Sequence, residues 1–116
     1  MKKVLLILLT ITSLALVACS SQESLDGEYY WINEHRNDKV LTIKGNKGLL
    51  DSEGEHSVTI DKESKTFEIS GYLEPTVSYE YKDGVLTANL TGTKDKFYKK
   101  GTQAYRDALK NYNYSK

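Results

Sequence analysis

Two segments of the chain set a histidine among carboxylates: Glu34-His35-Arg36-Asn37-Asp38 and Asp51-Ser52-Glu53-Gly54-Glu55-His56. Imidazole and carboxylate are ordinary zinc donors, but a zinc site needs three or four of them converging on one point. His35, His56, Glu53 and Glu55 are therefore the candidate metal ligands, against the plainer reading that both segments are solvated turns. The second segment is too irregular for the calcium loop of an EF-hand. Hydrolysis by either histidine needs a cleft shared with two acids, and a paired-carboxylate mechanism needs two acids several ångströms apart. Glu68 and Glu80 instead fall on outward strand positions, and no Gly-x-Ser-x-Gly turn is present to activate a serine. The expectation is a protein with no catalytic residue, no assigned metal and no cofactor; a small hydrolase or metal-binding protein is the third-ranked reading.

The one thiol is Cys19, at the end of an uncharged run over residues 4–18 that follows Met1-Lys2-Lys3. At about 1.5 Å per helical residue the run spans roughly 22 Å, short of the ~30 Å hydrocarbon core that a permanent span must cross. Leu16-Val17-Ala18-Cys19 resembles the bacterial lipobox. That resemblance implies cleavage between Ala18 and Cys19 and a diacylglycerol thioether, palmitate-type chains included, on the Cys19 sulfur. Residues 1–18 would then be a signal peptide, 19–24 a lipidated cysteine with a polar tether, and 25–116 a single domain. The expected location is the cell membrane, lipid-anchored on the extracytoplasmic face. With Cys19 committed to lipid, no disulfide is available to the domain. The octapeptide from Ile11 to Ala18 is also of the kind released as a pheromone by some Gram-positive bacteria.

Beyond the tether the apolar period is two rather than 3.6. Leu41 and Ile43, Val58 and Ile60, Phe67 and Ile69, Val77, Tyr79 and Tyr81, and Leu86, Ala88 and Leu90 alternate with polar neighbours. Turn signals separate them, of which Asp83-Gly84 is the clearest, because a type I′ turn needs positive φ at both central positions. The pattern predicts strands at 27–33, 39–44, 47–51, 56–61, 65–70, 76–82, 85–91 and 95–99. The fold class is all-β, an antiparallel meander of about eight short strands closed into a small barrel or rolled sandwich, since closure removes two exposed edges. Tyr105, Ala108, Leu109 and Tyr112 fall on one helical face, predicting a C-terminal helix over 102–113 capped by Thr102. The first strand is apolar on both faces, Tyr29 and Trp31 against Tyr30 and Ile32, and offers a seat for the helix; the alternative seat is an open end of the barrel.

Three features together carry a second resemblance. They are Leu25-Asp26-Gly27-Glu28-Tyr29-Tyr30, the hairpin Tyr79-Glu80-Tyr81-Lys82-Asp83-Gly84-Val85-Leu86-Thr87, and the closing Phe97-Tyr98-Lys99-Lys100. They are similar to the small lipocalin-like β domains of uncharacterised Gram-positive, streptococcal-type lipoproteins. The resemblance implies a barrel-like fold and no particular activity. A Gram-positive source also suits the 14 lysines against Arg36 and Arg106.

Without residues 1–18 the chain keeps 14 basic and 16 acidic side chains, a balance that excludes nucleic acid as partner, since a nucleic-acid binder carries a basic excess. The expected partners are the membrane, through the N-terminal lipid, and a cell-wall polymer or a host or secreted protein, met by a monomer. Nine tyrosines and one tryptophan serve either a small β core or a binding surface. Tyr30, Tyr72 and Tyr114 are the candidate binding rings, while Tyr79, Tyr81, Trp31 and Tyr98 are assigned to the core. Lys94, Lys96, Lys99 and Lys100 form a candidate basic cluster for an anionic surface, or else a charged edge strand that blocks aggregation. The leading function is a surface lipoprotein acting as a non-catalytic binding or interaction module. The alternative is a lipocalin-like carrier of a small apolar ligand, which would show as an interior cavity above ~300 Å³.

Overall fold

The computed structural model describes residues 24–114. The lipobox, the cleavage position, Cys19 and all of the tether but Ser24 lie outside the described residues. Eight strands run in chain order: β1 (Gly27–Asn33), β2 (Arg36–Lys44), β3 (Lys47–Asp51), β4 (Glu55–Asp61), β5 (Thr66–Ile69), β6 (Thr76–Lys82), β7 (Val85–Asn89) and β8 (Lys94–Lys99). Each pairs antiparallel with its neighbours, and β8 pairs with β1, so the meander is a closed barrel. One helix, α1 (Gln103–Asn111), follows.

Period-two alternation fills the interior from every strand. Tyr29, Leu41, Leu50, Phe67, Leu86 and Phe97 are almost wholly buried, and Phe67 stacks on Tyr79 with centroids 4.4 Å apart. Glu68 and Glu80 stand outward and exposed, as their parity requires. Among the described residues every buried side chain lies between Leu25 and Ala108, so the stretch from 25 to 108 carries its own core.

The structure departs from the sequence expectation at some element ends. β2 starts at Arg36 rather than 39, because Arg36, Asn37 and Asp38 pair with Asn33, Ile32 and Trp31 and extend the hairpin. The β1–β2 register shifts between Tyr29 and Tyr30, placing Val40 and Leu41 side by side in the core. Such a bulge bends the strand as closure demands. β5 and β7 are shorter than expected, and the helix is regular only to Asn111.

Asp83 and Gly84 have φ of 51° and 85°, the type I′ pair that joins β6 to β7. Gly84 is doubly constrained, since a Cβ there would sit 2.5 Å from the Thr102 hydroxyl oxygen. That hydroxyl caps α1, accepting from the Tyr105 N–H at 3.2 Å, and donates to the Lys99 carbonyl at 2.7 Å.

Of the two seats open to the helix, the outer wall is the one taken. α1 lies against β1 and β8, the rings of Tyr30 and Tyr105 meeting at 5.3 Å. Ile32 and Ala108 are both buried yet outside the interior cluster. The helix thus covers the closing seam, where the β1–β8 ladder consists of two residue pairs.

Candidate functional site

Because the chain runs up and down, its connections gather at two ends. At one end Leu25 is packed into the core as the chain enters the barrel, and its carbonyl accepts a 2.6 Å bond from the Tyr29 hydroxyl. Asp26 accepts from the Gly45 N–H in the β2–β3 turn at 2.8 Å. This end is closed. The opposite end carries the β1–β2, β3–β4, β5–β6 and β7–β8 connections and forms the mouth.

Two adjoining hollows open there. The first, about 540 Å³, is lined by Trp31, Arg36, Asp38, Asp51 and Glu53 among others. The second, about 350 Å³, lies between Glu53, His56, Tyr72 and Leu73. Ser52, Glu53 and Thr91 border both. Trp31 is the last inward residue of β1: one ring contact is Phe97 in the core, at 6.1 Å, and the Arg36 guanidinium sits 4.1 Å over its centroid. That cation–π contact holds Arg36 across the indole, with Asp38 3.9 Å away.

The rim of the second hollow is laced together. His56 is the first inward residue of β4, and its Nδ1 and Nε2 lie 2.8 Å from the Ser70 carbonyl and 3.2 Å from the Ser52 carbonyl. A neutral imidazole has one N–H, so in that form one of the two carbonyls receives a hydrogen bond. Tyr72 meets the His56 ring edge-on at 5.0 Å and donates its hydroxyl to the Leu90 carbonyl. Three loops are thereby fastened around the hollow. The Thr91 hydroxyl oxygen, by contrast, is buried without a hydrogen-bond partner among the described residues, and Leu73 stands fully exposed on the rim at 104%.

Other residues singled out from sequence are placed as follows. Tyr30 lies on the outer wall beneath α1, Tyr72 in the mouth rim, and Tyr114 beyond the helix, where its hydroxyl donates to the Asn33 carbonyl at 2.7 Å. The four lysines do not form one patch. Lys94 and Lys96 stand outward on β8 toward its mouth end, while Lys99 and Lys100 lie at the closed end, Lys99 donating to the Ser24 carbonyl at 2.6 Å and Lys100 lying 3.9 Å from Glu28. A six-residue strand separates them because sequence neighbours in a strand spread along its length. His35 contacts Glu34 at 3.5 Å on the exposed β1–β2 turn, and Glu55 is exposed. Among the described residues no three His, Cys, Asp or Glu side chains converge, the arrangement a metal centre would require.

Sequence reasoning missed Trp31, Arg36, Asp38, Ser52 and Thr91 as mouth residues. The available signal was positional: in a meander the inward residue nearest a loop faces that end of the barrel, which picks out Trp31 and His56. Shifted titrations lie elsewhere. Burial raises Tyr79, Tyr98 and Tyr105 above the usual phenol value. The Ser64 backbone N–H, followed by the Ser64 side chain, lowers Asp61 in the β4–β5 turn.

No known protein family, curated protein or solved structure matches the chain.

Proposed function

We propose that this protein is a membrane-anchored surface lipoprotein whose barrel is a non-catalytic binding module, with the mouth as its binding site. The observation that carries the proposal is the barrel's polarity. The chain enters at the end sealed by Leu25, and the two adjoining hollows around Ser52, Glu53 and Thr91 open at the other. A lipid on Cys19 would hold the sealed end near the bilayer, since the residues from Cys19 to Gly27 reach at most about 25 Å at ~3.3 Å each. The mouth would then face outward.

The lining points to a polar ligand, or to the polar tip of a larger wall or protein partner. Ser52 and Thr91 offer hydroxyls, Asp38, Asp51 and Glu53 offer acceptors, and Trp31 with Arg36 offers a flat apolar and cationic floor. A ligand group that reached the Thr91 hydroxyl would satisfy a buried polar atom, which is worth about 1–3 kcal/mol. An apolar carrier would need a hollow interior, whereas the interior positions of this barrel are filled by rings and branched side chains.

Two experiments test the two halves. Palmitate labelling of cells expressing the full chain should be lost in Cys19→Ala; persistent labelling would sink the anchor. For the module, NMR titration of the 19–116 chain with solubilised wall glycans and with secreted peptides should move Trp31, Ser52 and Thr91. Shifts confined to the outer wall would reject the mouth as the site.

A further inference from the structure

Charge is divided between the two ends of the barrel along the axis that the proposed anchor defines. At the mouth the β3–β4 turn, residues 51–55, brings Asp51, Glu53 and Glu55 with no basic residue. The other mouth connections and the adjoining end of β2 add Glu34, Asp38, Glu74 and Asp95 against Arg36, Lys39 and Lys94, for a net charge of about −4. At the closed end the acids and bases of the β4–β5 and β6–β7 turns cancel, and Lys99 and Lys100 offset Asp26 and Glu28. What remains is the β2–β3 turn, flanked by Lys44 and Lys47 and holding the Asp26 carboxylate on its Gly45 N–H. Neither lysine is paired with an acid among the described residues. Leu49 follows on the same outward face of β3, 49% exposed, and borders a shallow hollow of about 550 Å³ with the stems of Lys44 and Lys47. An apolar side chain flanked by long cationic stems is the arrangement that seats at a headgroup boundary, the stems lying along apolar surface while the ammonium groups stay in water.

We infer that the β2–β3 corner, Lys44, Lys47 and Leu49, docks on an anionic phospholipid surface and holds the domain upright, with its acidic mouth directed away from the bilayer. The inference rests on the anchored reading above and adds an orientation to it. Attraction of the hairpin and repulsion of the mouth act in the same sense. Each exposed charge near an anionic leaflet changes the balance several-fold, so upright should exceed inverted by at least about ten-fold at moderate salt. The field extends about one Debye length, ~10 Å at 0.1 M salt and ~3 Å at 1 M. High salt should therefore abolish the preference.

The chain supplies its own reporter, since Trp31 is the single tryptophan and lies at the mouth. The 19–116 chain, which retains the whole core, is coupled through its single thiol, Cys19, to a maleimide lipid in vesicles that also carry a dansyl-labelled lipid. Energy transfer from Trp31 to dansyl should be lower on phosphatidylglycerol vesicles than on phosphatidylcholine vesicles, and the difference should vanish at 1 M salt. Lys44→Glu/Lys47→Glu should raise transfer on the anionic vesicles to the neutral value, and Lys44→Arg/Lys47→Arg should restore the low value; circular dichroism checks that each variant is folded. Equal transfer on both lipids, or higher transfer on the anionic one, would overturn the inference. So would shifts at Lys44 and Lys47 with soluble polyglycerol phosphate when vesicle charge leaves the orientation unchanged. Because the anchor is supplied chemically, these outcomes stand apart from whether cells lipidate Cys19.

Discussion

The hydroxyl of Tyr29 donates to the carbonyl of Leu25, four residues earlier, inside the barrel. This bond folds the incoming chain back over the core, so Leu25 becomes the seal of one barrel end. The other end is left as the place where side chains can meet a ligand. Tyr29→Phe keeps the ring and strands a buried carbonyl, which costs about 1–3 kcal/mol. For a domain of this size that is a fall of roughly 4–8 °C in Tm per kcal/mol. Tyr114→Phe removes a hydroxyl whose partner, the Asn33 carbonyl, lies in an exposed setting, and should stay within about 0.5 kcal/mol. Urea unfolding of the two variants side by side makes the comparison.

The junction between barrel and helix rests on Gly84 and Thr102. Thr102→Ala removes the cap and should cost about 0.5–2 kcal/mol. Gly84→Ala meets both a positive φ and the Thr102 side chain, so it should cost more than Thr102→Ala alone. In the double variant the clash is partly relieved, and the two losses should sum to less than their separate values. Thermal unfolding of the four-member cycle tests this; strict additivity would show that the two residues do not meet.

Stability should fall in alkali. Burial raises the folded-state values of Tyr79, Tyr98 and Tyr105, so these phenols keep their protons in the fold at a pH where the unfolded chain, near 10, has begun to lose them. Their contribution is complete below pH 10 and is lost as pH rises through the folded values. Tyrosinate absorbance should therefore show late-titrating groups, and the unfolding midpoint should drop above pH 10 while remaining level from 8 to 9.5. A flat midpoint to pH 11 would contradict the assignment.

At the mouth, Arg36→Ala removes the cation held over Trp31. The indole becomes more exposed, and the loss should be at most about 1 kcal/mol, in the range of an exposed cation–π contact. Trp31 emission should shift to the red and acrylamide quenching should increase. An unchanged emission maximum would mean that the guanidinium does not cover the ring in solution.

Strand existence, hairpin order and closure of the sheet, into a barrel or a rolled sandwich, were legible in the sequence because inward and outward residues alternate along most strands, and because Asp83-Gly84 leaves the turn little choice of backbone. The Thr102 cap was legible for the same local reason. The start of β2 was not, since Arg36, Asn37 and Asp38 are polar and their strand state comes from pairing with β1. Nor was the mouth: its residues come from β1, β2, β3, β4 and the loops before β4, β6 and β8, and they meet only once the barrel closes. Tyr72 looked available from sequence, yet its hydroxyl is committed to Leu90, eighteen residues away.

By itself, then, the sequence determined the alternation that makes an antiparallel meander of short strands, the local turns and cap, and an N-terminal pattern that resembles a lipid-anchor signal. Those properties depend on a residue and its near neighbours. Tertiary structure decided which barrel end is sealed, which wall the helix covers, and how the charges divide between mouth and base. These are outcomes of closure, which separates neighbours such as Lys94 and Lys99 along a strand and brings distant residues such as Trp31, Glu53 and Thr91 to one opening.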